Sequence, residues 1–159
     1  MDLGNAYGMV DTYLPTQIIL MRLAVAAGLG AIIGFEREIK DHAAGLRTHI
    51  LIALAAALFT ILTFEIYHTL EVPQGQQGPQ ADPIRAVEAV TAGIAFLGAG
   101  AIFRGGASVH GLTTAAGMWL AGAVGVSAAL GYYLIAACVS LLAIVVLWML
   151  KAIARKTLS

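Results

Sequence analysis

The amino-acid sequence predicts an all-α, polytopic membrane protein: a helical bundle of five transmembrane helices, with the N-terminus outside and the C-terminus cytoplasmic. The first observation is composition. Of 159 residues, 60% are hydrophobic and 11% are charged, against about 45–50% and 25% in soluble domains. A soluble globule of this size could not bury so much apolar surface. The second observation is five long apolar stretches, and the third is an alternation of basic and non-basic loops.

Each apolar stretch is close to the ~20 residues that a helix needs to cross the hydrocarbon core. The predicted spans are Thr16–Phe35, Thr48–Tyr67, Ile84–Phe103, Leu112–Leu130 and Tyr132–Leu150. Asp2 and Asp11, and no Lys or Arg, precede the first span, so it is not expected to be a cleaved signal peptide. Gly131 separates the last two spans, since glycine permits a tight turn. We expect a single transmembrane domain over 1–159 and no soluble domain.

The positions of basic residues predict the orientation, because cytoplasmic loops carry an excess of Lys and Arg. Basic residues fall in the first loop, the third loop and the C-terminal tail: Arg37, Lys40, Arg47, Arg104, Lys151, Arg155 and Lys156. The N-terminus and the turn at Gly131 have none. The stretch Glu71–Pro83, rich in Pro, Gly and Gln, is predicted to be a flexible external loop.

Several classes of protein are excluded or disfavoured. Nine basic and nine acidic residues give zero net charge, so no basic surface recruits nucleic acid. Cys138 is the single cysteine, which rules out an intrachain disulfide. The sequence contains no HExxH, GxSxG or phosphate-binding GxxxxGK[ST] motif. We therefore predict that the protein is not an enzyme.

Three ionisable residues fall inside predicted spans, where charges are expensive and usually paired. Arg22 lies in the first span, Glu65 near the outer end of the second, and Glu88 in the third. We predict that Arg22 pairs with Glu88, with Glu65 as the second choice. The alternative is that Arg22 and Glu65 extend to the outer interface.

Small residues recur at four-residue spacing and predict close helix packing, because lipid supplies no hydrophobic force between helices. The first span has Ala26, Gly30 and Gly34 on one face. The fourth span has such a row at Thr113, Gly117, Ala121, Gly125 and Ala129. These faces either pack within the chain or form a homodimer, and the pattern does not separate the two.

The segment from Glu36 to His42 is dense in charges of both signs. Its three carboxylates and histidine could hold a hard cation such as Mg²⁺. A solvated, self-paired loop is the simpler interpretation, so no cofactor is predicted. Arg47 and His49 follow at the start of the second span, where free backbone N–H groups favour an anion or a carboxylate.

Three sequence blocks together resemble the MgtC/SapB family of bacterial inner-membrane proteins. They are GFERE at 34–38 with AGLRTH at 44–49, GIAFLGAGAI at 93–102, and GLTTAAGMW at 111–119. Ala95 departs from the pattern, which would have glycine there. Many members also carry a soluble cytoplasmic domain after the last helix, which we do not expect in a chain that stops at Ser159.

The resemblance implies a plasma-membrane protein linked to magnesium limitation, acid stress and survival inside host cells. Some members restrain the F-type ATP synthase. The motif positions in the cytoplasmic loop are Glu36, Arg37, Glu38, Arg47 and Thr48, which we assign to partner contact. The other motif positions, assigned to packing, are Gly34, Gly98, Gly100, Gly111, Thr113, Thr114 and Trp119.

Our leading hypothesis is a regulatory protein that docks onto another membrane complex, with the ATP synthase as one candidate partner. The alternative is a small oligomeric transporter or channel for ions, with Arg22 and Glu88 as its intramembrane charges. A structural subunit of another complex is a third option.

Overall fold

The computed structural model describes residues 11–69, 84–106 and 108–157. Five helices follow one another along the chain: α1 (Thr16–Ile39), α2 (Leu46–Thr69), α3 (Ile84–Ala101), α4 (Leu112–Ala129) and α5 (Tyr133–Thr157). A two-stranded antiparallel hairpin, β1 (Phe103–Gly105) and β2 (Ser108–His110), joins α3 to α4. The predicted all-α class is confirmed. The predicted external loop at Glu71–Pro83 lies outside the described residues.

The described part of the chain contains four helices long and apolar enough to cross a membrane, α1 to α4. The described apolar part of α5, Tyr133–Trp148, is shorter. Several predicted boundaries differ from the structure, and two of the differences concern the ends of α1 and α3. Helix α1 continues past Phe35 to Ile39 because its charged end is buried against the bundle, and Phe103 belongs to β1 and not to α3.

The α1–α2 turn and the β-hairpin lie at the same end of the bundle, since α1 and α3 run in one direction and α2 and α4 return. We call this the inner end, because the sequence predicts that it faces the cytoplasm. The opposite end, where α4 meets α5, is the outer end. At the outer end Gly131 has a φ of +85°, a backbone conformation that glycine adopts without strain. The predicted break between the last two helices is confirmed.

Helices α2 and α4 form the centre of the bundle, and α1 packs against both. Glycines determine how closely these three helices approach one another. A Cβ atom on Gly30 would lie 2.8 Å from the carbonyl oxygen of His49 and 2.8 Å from the Cβ of Ala53. Gly125 of α4 packs against the backbone of the same Ala53. In lipid, such backbone approach supplies the dispersion energy that replaces the hydrophobic effect.

Helix α3 lies at the edge of this core. It packs mainly on α4 and less extensively on α2. Among its residues only Ile94 and Gly98 are buried, the smallest buried share of the four helices that are described in full. One long face of α3 is therefore without a partner among the residues that the structure describes.

Candidate functional site

A buried polar cluster ties α1, α2 and α4 together at the inner end. Arg37 of α1 is 2% exposed, and its Nη2 donates a hydrogen bond of 2.9 Å to the hydroxyl oxygen of Thr114 in α4. Thr114 is itself buried. A buried guanidinium is expensive unless its hydrogens find acceptors. This contact therefore connects the first and third sequence motifs, which are 77 residues apart.

His49 of α2 completes the cluster and has no exposed surface. Its Nδ1 lies 2.8 Å from the carbonyl oxygen of Gly45. Because a carbonyl oxygen only accepts, Nδ1 carries the hydrogen, and Nε2 of the neutral ring is then an acceptor. This Nε2 faces Gly117, where a Cβ would approach to 3.1 Å. The glycine in α4 therefore makes room for the imidazole ring.

Glu36 in the last turn of α1 forms an ion pair with Lys40, the residue that directly follows the helix. Glu36 is 6% exposed. The Lys40 ammonium also lies over the ring of Trp148 in α5, 5.6 Å from its centroid, a distance at which a cation is attracted to the aromatic face. The pair thereby links the inner end of α1 to α5.

Glu38 faces the start of α2. Its Oε2 accepts a hydrogen bond of 2.8 Å from the backbone N–H of Leu46. That N–H is one of the groups left without a partner in the first turn of a helix, and a carboxylate there also favours the helix dipole. Glu38 therefore acts as a cap that fixes where α2 begins.

The structure thus corrects the expectation of an exposed, solvated loop. Glu36 and Arg37 are buried in α1, and Glu38 is engaged as a cap, so these three do not form a free contact surface. Arg47 is exposed and Thr48 is half-buried.

Among the described residues, no three His, Cys, Asp or Glu side chains come together as a metal site. The acids of this segment do not fit a Mg²⁺ site, because a lysine and a helix start engage Glu36 and Glu38.

The charges near the outer end also find partners other than those predicted. Nη1 of Arg22 donates to the carbonyl oxygen of Ala129 at 2.5 Å, at the end of α4. Glu65 accepts hydrogen bonds from the backbone N–H groups of Tyr13 and Leu14, at 2.7 and 3.0 Å. Glu88 is exposed on α3. The predicted Arg22–Glu88 pair is wrong, because Arg22 bonds to the end of α4 and neither side chain forms an ion pair with any described residue.

The remaining motif residues divide into two groups. Gly34 packs against α2, where a Cβ would lie 2.8 Å from the Cα of Leu46. Gly98 packs against Ala115, and Gly111 has a φ of +86° with the carbonyl of Ala101 against its Cα. The others are open: a Cβ on Gly100 would meet nothing within 4 Å, Thr113 is exposed, and Trp119 is 49% exposed.

An apolar groove of about 620 Å³ runs between α2 and α3. Its walls include Leu51, Ala55 and Phe59 of α2, and Gly93 and Leu97 of α3. Arg47 precedes Leu51 by four residues and so lies on the same row of α2, at the inner mouth of the groove. Within the described part of the chain, no ion pair or side-chain hydrogen bond engages Arg47.

Neither this groove nor the burial of His49 was predicted from the sequence. A polar residue at a helix start normally lies at the surface, so no local pattern indicated that His49 is buried. The row Arg47, Leu51, Ala55 was visible, but a lipid-facing row has the same composition.

A search with protein-family models matches residues 23–156 to the MgtC family. The chain belongs to the MgtC family. It is a membrane protein, as its four apolar helices also indicate. The first and third of the sequence motifs thus meet in one place, since Arg37 and His49 of the first motif and Thr114 of the third come from three different helices of the same cluster.

Individual relatives support the MgtC assignment. Protein MgtC of Brucella abortus (strain 2308) is 41% identical over 104 residues, covering 65% of this chain and 39% of the relative. Protein SapB of Bacillus subtilis (strain 168) is 36% identical over 117 residues, covering 72% and 49%. Protein MgtC of Salmonella typhimurium (strain 14028s) is 38% identical over 114 residues, covering 72% and 44%.

The matched region spans less than half the length of these curated relatives. No solved structure matches the chain significantly.

Proposed function

We propose that this chain is a regulatory protein of the bacterial plasma membrane, which acts by docking a helix of another membrane complex in the groove between α2 and α3. One observation carries the proposal: the groove is apolar, open along the bundle, and has an exposed Arg47 at its inner mouth. Such an arrangement combines a surface for helix packing with one fixed charge.

The groove suits a helix better than it suits a compact ligand. Its floor includes Gly93, where a Cβ would meet nothing within 4 Å. A partner helix can therefore approach the backbone of α3 closely, which is the main source of affinity between helices in lipid. Arg47 would select partners that carry a carboxylate at the same depth, because a charged rim suppresses wrong partners more than it adds affinity.

The buried cluster of Arg37, His49 and Thr114 holds the inner end of α2, and with it the mouth of the groove, in place. The Glu38 cap fixes the first turn of α2, Arg37 ties α1 to α4, and His49 of α2 packs against Gly34 of α1 and Gly117 of α4. Arg47 lies in that first turn, so its position depends on these contacts. We infer that the family motifs serve mainly to hold the groove and Arg47 in place.

The family resemblance suggests the condition and the partner. Magnesium limitation is the condition under which we expect the protein to act, and the F-type ATP synthase is the first candidate complex. Restraint of the synthase would lower cellular ATP.

The test uses magnesium-limited cells that carry a deletion rescued with a tagged copy. We expect Arg47→Ala, at normal abundance, to leave ATP as high as in the deletion strain and to lose the partner complex on purification. Arg104→Ala is the matched control, because Arg104 is also exposed at the inner end but bonds within its own hairpin. Unchanged ATP in the deletion strain would contradict restraint of the synthase.

A second pair of variants tests the groove itself. Gly93→Leu places a side chain in the groove, whereas Gly28→Leu adds the same side chain on the open face of α1. We expect Gly93→Leu to reduce partner retention about tenfold or more and Gly28→Leu to have no effect. Equal retention by the two variants would show that the partner docks elsewhere. Ion flux in liposomes made from the purified protein would favour the alternative, a transporter or channel.

A further inference from the structure

A second surface on α3 points away from the groove. Arg85, Glu88, Ala92, Ala95 and Ala99 are all exposed and follow one another at spacings of three and four residues. This is the a/d repeat of a coiled coil, which keeps one seam facing a neighbouring helix. We call these five residues the α3 seam.

The α3 seam and the groove are different faces of one helix. The α3 residues that line the groove are Ala86, Ala89, Val90, Gly93, Ile94 and Leu97. None of them belongs to the seam. A partner in the groove and a partner on the seam could therefore be bound at the same time.

Two residues of the seam are charged and of opposite sign. Arg85 lies at the outer end of α3, and Glu88 lies one turn further in. In the part of the chain that the structure describes, neither forms an ion pair. An unpaired ionisable group that faces lipid is unfavourable, and intramembrane charges normally pair with one another.

We propose that the α3 seam is the interface of a parallel homodimer, in which Arg85 of each copy pairs with Glu88 of the second copy. Two copies in one membrane share the same orientation, so a two-fold axis along the membrane normal brings the two α3 helices side by side. Such an interface is self-complementary, because each contact occurs twice.

The geometry of α3 fits this pairing. Three residues correspond to about 4.5 Å along a helix axis, so Glu88 lies about one turn below Arg85 of the second copy. Side chains on a helix lean toward its N-terminus, which here is the outer end. Because both side chains lean the same way, the offset of about one turn is covered by the long, flexible stem of Arg85, which can fold back toward the Glu88 carboxylate.

The alanines of the seam set the separation between the two helices. Ala92, Ala95 and Ala99 occupy successive turns and allow the axes to approach to about 8 Å, the lower limit for packed helices. Phe96 is 80% exposed beside the seam and would cover the edge of the interface.

Charge complementarity favours a second copy over an unrelated partner. When two identical α3 helices lie in parallel register, the arginine of each copy is next to the glutamate of the second copy. A different partner would need the same pair at the same depth. The dimer uses a face separate from the groove, so the dimer proposal does not depend on the proposed docking function.

Disulfide cross-linking in native membranes tests the seam. In a Cys138→Ala background we expect Ala92→Cys to form a disulfide-linked dimer on mild oxidation, since residues on the seam of a close dimer meet the distance limits of a disulfide. Ala24→Cys is the matched control. Ala24 is exposed, and it lies as far from the start of α1 as Ala92 lies from the start of α3. We expect no dimer from it.

Charge reversal distinguishes a specific pair from a general tendency to cross-link. We expect Arg85→Glu or Glu88→Arg, each combined with Ala92→Cys, to weaken dimerisation about tenfold, equivalent to ~1.4 kcal/mol. The double reversal should restore the wild-type level, which also shows that the variants fold. Equal cross-linking at Ala24 and Ala92, a cross-link from Ala92 to a different protein, or no restoration by the double reversal would overturn the proposal.

Discussion

Thr114 is the acceptor for a guanidinium group that is almost completely withdrawn from solvent. Its role illustrates how one hydroxyl group can determine whether a buried charge is tolerated. A hydrogen bond to a charged group contributes about 1.5–3 kcal/mol, and a buried donor left without its acceptor loses at least that much. Thr113 provides a natural comparison, since it carries the same side chain but is exposed.

We therefore predict that Thr114→Val lowers the free energy of unfolding by about 1.5–3 kcal/mol. Thr114→Ser should retain most of the stability because it keeps the hydroxyl. Thr113→Val should change stability by less than about 0.5 kcal/mol, as surface substitutions usually do. Denaturation of the detergent-solubilised protein by SDS, followed by circular dichroism, measures the difference. A similar loss at both positions would show that Arg37 does not depend on Thr114.

At the scale of the helices, packing between α1 and α2 depends on a glycine face. Gly30 lies against the backbone of His49, whereas Gly28, two residues earlier in the same helix, faces open space. The two positions therefore separate the effect of a close helix contact from the effect of glycine on helix propensity.

We predict that Gly30→Ala destabilises the protein by about 1–3 kcal/mol, the usual effect of overpacking. Gly28→Ala should be neutral or slightly stabilising, since alanine favours a helix over glycine. Thermal unfolding in detergent, monitored by tryptophan fluorescence, provides the comparison. If the two variants unfold at the same temperature, the α1–α2 contact is looser than described.

The helices themselves were predictable, because apolar length determines which segments cross a membrane. The predicted starts at Thr16, Ile84 and Leu112 agree with the structure. The inner end of α1 was not predictable. Charged residues such as Glu36 and Arg37 resemble a loop by composition, and the tertiary contact of Arg37 with Thr114 explains why the helix continues. The partner of Arg22 on another helix was likewise not predictable, because neighbouring residues in the sequence do not show which helices pack together.

At the scale of the whole molecule, the predicted basic loops meet at one end of the bundle. Arg37, Lys40 and Arg47 belong to the α1–α2 turn and its flanks, and Arg104 belongs to the β-hairpin. The prediction that this end is cytoplasmic follows from the excess of Lys and Arg, and it can be tested directly.

We expect a membrane-impermeant maleimide to label Thr12→Cys in intact spheroplasts and to label Ser108→Cys only after permeabilisation. Both residues are exposed, and Cys138→Ala removes the native thiol. The opposite pattern would invert the orientation and would place Arg47 on the outer side, away from any cytoplasmic partner.

The bond between Arg22 and Ala129 has a consequence for how the protein is made. The two residues are 107 positions apart, so at about 5–20 residues per second the ribosome needs roughly 5–20 s to supply the acceptor after Arg22 has emerged. During that interval α1 lies in the bilayer with its guanidinium at the outer interface, without its final acceptor. Biogenesis therefore passes through an early stage in which the first helix is inserted before the acceptor for its guanidinium has been made. A chain that terminates before α4 would remain at that stage and become a substrate for membrane quality control.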